Sequence, residues 1–264
     1  MIDKKFNEFI EIVRRLRNEC PWDREQTNDS IKANTIEEAY EVVEAVDNRD
    51  YDELKKELGD LLLHVVFHSI IAEGDGKFKL EEVIGSIQEK LIRRHPHVFG
   101  EIQVSGPEEV KKNWEAIKLS EGRKSILDGV PKEMPALQRA FRLQEKASKV
   151  GFDWEKKEDV WKKVIEEIEE MHKEEIKSQK SKVKNEINEE LENEVGDVFF
   201  ALVNYSRFLG INPENALRRT NKKFIKRFNY VEMKISDAGR ELRGSTIAEM
   251  DKFWNESKNL IKDE

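Results

Sequence analysis

The segment TIEEAYEVVEAVDNRDYDELKKELGDLLLHVVFH, residues 35–68, decides the fold class of this chain. Its apolar residues recur at the i, i+3, i+4, i+7 spacing of a helix face, and the alternation typical of a strand is not sustained. This spacing predicts an amphipathic helix over 34–47 and a second, more apolar helix over 50–73. The residues that define the first helix face are Ile36, Ala39, Tyr40, Val43 and Val46.

The same two helices carry acidic residues at helical spacing. Glu38 and Glu41 share one face, and Glu37 reaches the same side through its i, i+4 relation to Glu41. Glu57 and Asp60 form a second pair on the next helix. If the helices pack antiparallel, these carboxylates converge, and two of them about 5 Å apart repel by roughly 3 kcal/mol at an effective dielectric constant near 20. A hard divalent cation such as Mg²⁺, which prefers oxygen ligands and also binds phosphates, would relieve that repulsion.

An acidic pattern on a helix also has an interpretation without function. The chain has 55 Asp and Glu residues, so an EExxE segment can be an ordinary solvated face, as we expect for Glu81-Glu82 and Glu108-Glu109. Two features favour a site. The ExxD pair leads directly into a helix that is apolar on nearly all sides, and the whole arrangement occurs a second time.

The second half of the chain repeats the first. Glu166-Glu167-Ile168-Glu169-Glu170 matches the EExxE segment, and Glu194-Val195-Gly196-Asp197 matches the ExxD segment. The main difference is a longer charged stretch, MHKEEIKSQKSKVKNEINEE, between the two acidic motifs of the second half. We therefore predict an internal duplication. Further matches in the same order are Trp22 with Trp154, Lys90 and Arg94 with Lys223 and Arg227, and Trp114-x-x-x-Lys118 with Trp254-x-x-x-Lys258.

Helical spacing continues along almost the whole chain, with one interruption. Residues 121–135, EGRKSILDGVPKEMP, contain two Gly and two Pro and predict a linker. The expected architecture is all-α, with two tandem helical-bundle domains over 1–120 and 136–264. The remaining predicted helices cover 2–18, 79–94, 107–120, 134–150, 156–180, 184–209, 213–236 and 247–261.

Composition agrees with a long-helix protein and disfavours some partners. Charged residues make up 39% and hydrophobic residues 38%, with only 13 Gly and 6 Pro. The net charge of −8 disfavours binding to nucleic acid or to an anionic membrane surface. The single cysteine, Cys20, cannot form an internal disulfide, and the N-terminal stretch lacks the apolar core of a signal peptide. We expect a cytoplasmic protein without a nucleic-acid or membrane partner.

EExxE followed by ExxD on the next helix resembles the signature of the all-α nucleoside triphosphate pyrophosphohydrolases. The resemblance covers nearly the whole chain and is closest to the two-domain MazG branch. It implies two MazG-like domains, hydrolysis of a nucleoside triphosphate to monophosphate and pyrophosphate, a role in cleaning the nucleotide pool, and a homodimer. The segments similar to that branch are CPWDREQT (20–27), TIEEAYEV (35–42), ELGDLLLHVVFH (57–68), RRHPHVFG (93–100) and VGFDW (150–154).

The resemblance also implies a metal site. Mg²⁺ is the implied cofactor, with Mn²⁺ as a substitute. Glu37 and Glu166, next to the implied ligands, are candidates for positioning the attacking water or for sharing a second metal ion. The implied ligands are Glu38, Glu41, Glu57 and Asp60 in the first copy and Glu167, Glu170, Glu194 and Asp197 in the second.

Cations must meet the phosphates of such a substrate. Lys223 and Arg227 share a helix face, and Arg binds phosphate oxygens bidentately. Trp254 and Lys258 share a face in the same way, and stacking of a base on Trp254 favours broad specificity because every base has a π-face. The alternative is a surface basic patch and a Trp packed between helices. The corresponding candidates in the first copy are Lys90, Arg94, Trp114 and Lys118.

Both copies keep the implied metal ligands, and the second copy matches the family better in its basic and aromatic residues. We therefore expect the second copy to be the main catalyst. One departure concerns a position four residues before the ExxD glutamate, where relatives can carry a basic residue and this chain has Glu190. Lys182 or Lys184 could replace that contact. For Trp22 and Trp114, core packing and ligand contact are equally favoured.

The histidines allow several roles. His95 and His97 flank a proline and are expected to cap or pack at a helix end. His64 and His68, four residues apart, could bind a metal, but core or interface roles are favoured. The corresponding residues of the second copy are Ala201 and Tyr205.

Three alternatives stay open. A di-iron carboxylate bundle requires Glu-x-x-His twice, and Glu169-x-x-His172 supplies one such pair whereas the first copy has none at the equivalent place. A non-enzymatic helical interaction or regulatory module would leave the acidic clusters as solvated faces. Within the favoured enzyme class, the substrate could also be a narrow set of triphosphates.

Overall fold

The structure is a computed structural model that describes residues 1–107, 109–110, 113–114, 117, 121, 125–180 and 188–260. In this part of the chain all regular structure is helical, which confirms the all-α prediction. The chain divides into two compact units, unit 1 (Met1–Val110) and unit 2 (Lys111–Glu264). The predicted bounds of the domains and of the linker stay predictions.

Unit 1 is built around a helix hairpin. Helices α3 and α4 are joined only by Arg49 and Asp50 and pack along each other, so they run antiparallel. Arg49 ends α3 in the left-handed conformation, with φ 56°. Helices α1 and α5 also pack on α4. The described helices are α1 (Ile2–Glu19), α2 (Pro21–Glu25), α3 (Lys32–Asn48), α4 (Tyr51–Gly74), α5 (Leu80–Arg94) and α6 (Pro96–Phe99).

The core of unit 1 surrounds the second half of α4. This half of the helix carries most of the apolar residues of α4, and most of these are buried against α1 and the start of α3. Burial of apolar surface is what stabilises this arrangement. The first half of α4 carries the acidic residues and lies mostly toward solvent, except that Glu57 is buried. The buried core residues are Val13, Ile31, Val66, Phe67, Ile70, Ile71 and Leu80.

Unit 2 repeats the helix pair of unit 1. Its α8 packs along α9, α7 packs on α9 and α10, and α11 packs on α10. With the matched acidic motifs on α8 and α9, this confirms tandem helical domains from a duplication. The buried hydrophobic residues include Val160, Val164, Ala201, Val203, Val231 and Ile235. The described elements are α7 (Ala136–Ser148), α8 (Lys157–Lys180), α9 (Glu189–Phe208), α10 (Pro213–Asp237), a 3₁₀ turn (Leu242–Gly244) and α11 (Ile247–Leu260).

Most predicted helix ends lie within a few residues of the observed ones. The largest difference is at α9, which begins at Glu189 because Asn188 caps it, and predicted residues 184–187 lie outside the described part. The predicted helix 107–120 also lies largely outside it. The short helices α2 and α6 were missed, because four or five residues are too few to show a periodicity. None of the described helices combines the length and apolar character that crossing a membrane requires.

The cap of α9 gives a first stability prediction. Asn188 Oδ1 accepts hydrogen bonds from the backbone N–H groups of Glu190 and Leu191, at 3.1 and 3.3 Å. Replacing Asn188 by Ala leaves these donors without that acceptor and is expected to lower the free energy of unfolding by about 1 kcal/mol. Urea unfolding followed by circular dichroism measures this. Asn188→Ser, which retains a capping oxygen, should restore most of the loss, and equal losses in both variants would contradict the cap.

Candidate active site

The α3–α4 hairpin brings three acidic side chains of the first copy together. Glu38 and Glu41 lie one turn apart on α3, and Glu57 lies on α4. Each offers a carboxylate oxygen within 4.8 Å of the others. Glu57 is only 8% exposed whereas Glu41 is exposed, so these residues lie at the boundary between core and solvent. We call them the first carboxylate group.

Burial and mutual repulsion make this group costly to ionise. Burial, with further contributions from the carboxyl groups of Glu53 and Glu41, raises the pKa of Glu57 from 4.5 to about 7. Burial also raises the pKa of Glu38, and the charges of Glu41 and Asp60 add to that effect. A divalent cation would favour the ionised forms, because it supplies the missing counter-charge.

Asp60, predicted as the fourth ligand, is not one of the carboxylates within 4.8 Å of one another. It lies close enough to Glu38 to raise the pKa of that carboxyl group. Its role as a ligand therefore stays a prediction. A cleft of about 240 Å³ borders the first carboxylate group, and its lining includes Glu41, Glu44 and Glu57.

The α8–α9 pair builds a matching arrangement, the second carboxylate group. Glu167 and Glu170 of α8 and Glu194 of α9 each offer an oxygen within 4.8 Å of the others. Glu167 is buried, with 8% exposed. Burial raises the pKa of Glu194, and the charges of Glu170 and Asp197 add to it. Asp197, like Asp60, is not among the three that converge.

Both groups fit a hard divalent cation. Their donors are carboxylate oxygens alone, which suit Mg²⁺ and Ca²⁺ rather than soft metals. Among the described residues, the clusters of three or more side chains that could hold a metal ion are these two. The structure thus places three of the four predicted ligands of each copy together.

One cation at the second carboxylate group was missed from the sequence. Lys163 Nζ donates to Glu166 Oε1 at 2.8 Å and lies 2.6 Å from Glu167 Oε1. These contacts raise the pKa of Lys163 above its ordinary value. The first copy has Asn34 at the corresponding position, so the two groups differ in charge. The i, i+3 and i, i+4 spacing could have indicated this contact, but such pairs occur all along this charged chain.

The pKa of Glu57 predicts how metal-free stability depends on pH. Between pH 4.5 and about 7, folded Glu57 binds more protons than unfolded Glu57, so stability falls as pH rises through this window. Glu57→Gln removes this titration. In EDTA, we expect the melting temperature of the unmodified protein to fall relative to that of Glu57→Gln between pH 5 and pH 8. Glu81→Gln, which changes an exposed glutamate, should not alter the pH dependence, and parallel curves for all three proteins would contradict the assignment.

The predicted phosphate and base contacts of the second copy lie on α10 and α11. Lys223 and Arg227 are half-buried on α10, and Lys258 is exposed on α11. Trp254 is half-buried, with its ring centroid 5.2 Å from that of Phe224. One part of the Trp254 surface therefore packs between helices, and its contact with a base stays a prediction.

The first-copy counterparts are less completely described. Lys90 is exposed and Arg94 half-buried at the end of α5, and Trp114 is half-buried. Trp22 is 63% exposed, so in unit 1 it is not a core residue. Three candidate lysines lie outside the described residues, namely Lys118, Lys182 and Lys184.

The histidines argue against a di-iron bundle. His172 is exposed, its Nδ1 lies 3.1 Å from Glu175 Oε2, and it is not part of the second carboxylate group. His95 ends α5, and its Nδ1 lies 2.7 Å from the carbonyl oxygen of Leu91, as expected for a histidine at a helix end.

Comparison with known proteins identifies the family. The family model described as the MazG nucleotide pyrophosphohydrolase domain matches residues 26–99 and again residues 155–232. The chain belongs to the MazG family. Each match contains one of the two carboxylate groups. Family membership confirms the resemblance seen in the sequence, and with it the enzyme class, a pyrophosphohydrolase that acts on an acid anhydride.

Relatives of the MazG family resemble this chain over almost its whole length. The nucleoside triphosphate pyrophosphohydrolase/pyrophosphatase MazG of Thermotoga maritima is 44% identical over 96% of this chain and 95% of its own. The nucleoside triphosphate pyrophosphohydrolase of Escherichia coli K12 is 40% identical over 96% of this chain and 97% of its own. The crystal structure of a mazG-related protein from Thermotoga maritima is 30% identical and covers 43% of this chain and 98% of its own, with a TM-score of 0.39.

Proposed function

We propose that this chain hydrolyses nucleoside triphosphates to monophosphate and pyrophosphate, with Mg²⁺ as cofactor and Mn²⁺ as a substitute. The observation that supports this is the pair of carboxylate groups, each with three oxygens within 4.8 Å on neighbouring helices. The relatives from Thermotoga maritima and Escherichia coli are named for the same reaction. A cytoplasmic enzyme of this kind would remove unwanted triphosphates from the nucleotide pool.

The residues of each copy have separate tasks in this reaction. Attack of water at the α-phosphorus requires an oriented water and neutralised phosphates. When bound, Mg²⁺ would neutralise charge on the phosphate oxygens and acidify the attacking water. Glu37 and Glu166, beside the carboxylate groups, would orient that water and accept its proton. The hydrogen bond from Lys163 would hold Glu166 in place for this task.

The second copy is the proposed main catalyst, with broad specificity for ribo- and deoxyribonucleotides. Lys223 and Arg227 would bind the β- and γ-phosphates, which carry the charge of the leaving pyrophosphate. Trp254 would present the ring face that does not contact Phe224 to the base. Stacking discriminates little between bases, which supports a broad substrate range.

A homodimer is the proposed assembly. Leu58, Leu62 and Val65 lie on one face of α4 and remain 50%, 42% and 43% exposed, and Ile36 and Tyr40 of α3 are 58% and 48% exposed. Pairing with a second copy would bury this apolar surface. Sedimentation equilibrium should give twice the chain mass of 31.0 kDa, and Leu62→Glu should shift the protein toward monomer.

Product analysis tests the proposed reaction. The protein is incubated with each NTP and dNTP plus Mg²⁺, and the products are separated by ion-exchange chromatography. Monophosphate and pyrophosphate in equal amounts are expected. Diphosphate with phosphate, or no turnover of any triphosphate, would overturn the proposal. In the same assay, an undiminished rate in a Glu37→Gln, Glu166→Gln double variant would show that Glu37 and Glu166 do not position the attacking water.

A further inference from the structure

A chain of hydrogen bonds lies behind the first carboxylate group. The Thr35 hydroxyl of α3 is 3.1 Å from Nδ1 of His64 and 2.9 Å from Nε2 of His68, both on α4. His68 Nδ1 in turn lies 2.6 Å from Oδ1 of Asn28. We call Asn28, Thr35, His64 and His68 the histidine relay.

The partners in the relay restrict which nitrogen of each ring can carry the proton. The amide oxygen of Asn28 only accepts, so Nδ1 of His68 donates to it and Nε2 of neutral His68 accepts. The Thr35 hydroxyl therefore donates to His68, and its oxygen accepts a hydrogen bond from Nδ1 of His64. Neutral His64 is then left with an unprotonated Nε2. Burial lowers the pKa of His68, which favours its neutral ring.

A second arrangement of the Thr35 hydroxyl is disfavoured. The hydroxyl also lies 3.2 Å from the carbonyl oxygen of Ile31. If it donates there, its oxygen must accept from both rings, which requires a cationic His68. Burial lowers the pKa of His68 and so disfavours that cationic ring, which leaves the first arrangement, with Nδ1 of His64 donating to Thr35 and Nε2 of neutral His64 as an acceptor.

His64 borders both the first carboxylate group and a cavity. Nε2 of His64 is 3.9 Å from Oε1 of Glu38, beyond hydrogen-bonding distance. His64 also lines a cavity of about 130 Å³ with Trp22, Leu63 and Phe67, whose walls are mainly apolar and aromatic. In the proposed reaction, the nucleoside is attached to the phosphorus that reacts at the carboxylate group. A base seated in this cavity would lie beside His64.

The second copy lacks the residues of the histidine relay. Aligned on the acidic motifs, Thr35, His64 and His68 correspond to Val164, Ala201 and Tyr205. Tyr205 instead packs on Trp161, with ring centroids 5.0 Å apart. A polar relay in one copy and an aromatic pair in the other indicate different base selectivity at otherwise similar carboxylate groups.

We propose that His64 is a specificity-determining residue of the first copy, whose Nε2 accepts a hydrogen bond from the exocyclic amino group of an adenine or cytosine nucleotide. The inference rests on the proposed function and names the substrate class of that copy. The amino groups of adenine and cytosine are donors, whereas the carbonyl oxygens of guanine and of uracil-type bases are acceptors that meet the lone pair of Nε2. A keto base that covers this half-buried acceptor without offering a donor is therefore disfavoured.

Equilibrium binding tests this preference. The second carboxylate group is disabled by Glu170→Gln and Glu194→Gln, and Ca²⁺ replaces Mg²⁺ so that the nucleotides are not hydrolysed. ATP is compared with ITP, and CTP with UTP, because each pair exchanges an amino for a keto group. We expect about tenfold tighter binding of the amino member, as one hydrogen bond supplies. His64→Ala, which introduces the residue found at Ala201, should bring each ratio to near one, mainly by weakening the amino member.

Two further measurements test the inference without relying on the His64→Ala variant. Thr35→Val, matched to Val164, should also reduce the ratios, since it releases the His64 ring. In the protein with His64 and Thr35 intact, ¹⁵N NMR of labelled histidines should show His64 as the Nδ1–H tautomer, with its Nε2 resonance shifted by CTP and not by UTP. Unchanged ratios in His64→Ala, equal binding of both members, no nucleotide binding, or an Nε2–H tautomer would each overturn the inference. Failure of the unmodified chain to release pyrophosphate from any triphosphate would instead overturn the proposed function.

Discussion

Replacing Glu170 by Ala is expected to lower kcat/KM for triphosphate hydrolysis by the chain at least about a hundredfold, because a metal ion supplies several kcal/mol of transition-state stabilisation. Glu170 is one of three carboxylates that converge within 4.8 Å, and its loss leaves Glu167 and Glu194 as an incomplete donor set. Pyrophosphate release at saturating Mg²⁺ measures the effect. Titration of the melting temperature with Mg²⁺ shows in parallel whether metal binding is lost.

Two matched variants show whether the loss of activity in Glu170→Ala is specific to the second carboxylate group. Glu81→Ala removes an exposed glutamate of α5 and should leave the rate unchanged. Glu41→Ala removes the corresponding ligand of the first copy and should cost much less than Glu170→Ala if the second copy is the main catalyst. A large loss in Glu41→Ala with full activity in Glu170→Ala would reverse that assignment, and full activity in both would contradict the metal site.

Shortening Ile71 to Ala is expected to destabilise unit 1 by about 2–5 kcal/mol, the usual cost of a cavity in a packed core. Ile71 is 2% exposed on the apolar half of α4, where Val66 and Ile70 are also buried. That half of the helix supports the turns that carry Glu57 and the histidine relay. Hydrogen exchange of the α4 amides measures the loss directly within unit 1.

Ile12→Ala serves as the control, because Ile12 lies on α1 of the same unit and is 58% exposed. We expect its effect to stay within about 0.5 kcal/mol, as for most surface substitutions. Equal effects at the two isoleucines would show that α4 does not hold the core of unit 1.

Much of the candidate site could be predicted from spacing alone. EExxE and ExxD place carboxylates on single helix faces, since residues three and four apart are neighbours in any α-helix. The repeat then indicated that the motif is more than a solvated face. The structure brings together Glu38, Glu41 and Glu57, and it leaves Asp60 outside that cluster. The distance between residues on two different helices depends on how the helices pack, which no local spacing contains.

Lys163 and the histidine relay show what local reasoning missed. Lys163 is one of many lysines near glutamates in this sequence, and its contact is distinguished by the place of Glu167 in the second carboxylate group. His64 and His68 were expected in core or interface roles; both side chains are half-buried, and the expectation did not include their hydrogen bonds. Those bonds join α4 to Thr35 and Asn28, residues separated from them by 29 to 40 positions.

The sequence by itself determined the helical class, the duplication, the acidic motifs and the MazG family. Each of these depends on the order of residues within one helix or on repetition of that order, and both are present in the sequence. The tertiary structure alone decided which carboxylates converge, that burial raises the pKa of Glu57, and which side chains lie within hydrogen-bonding distance of His64 and His68. These properties arise where side chains from different helices meet and exclude water, because both the electrostatic cost of a charge and the choice of hydrogen-bond partner depend on those neighbours.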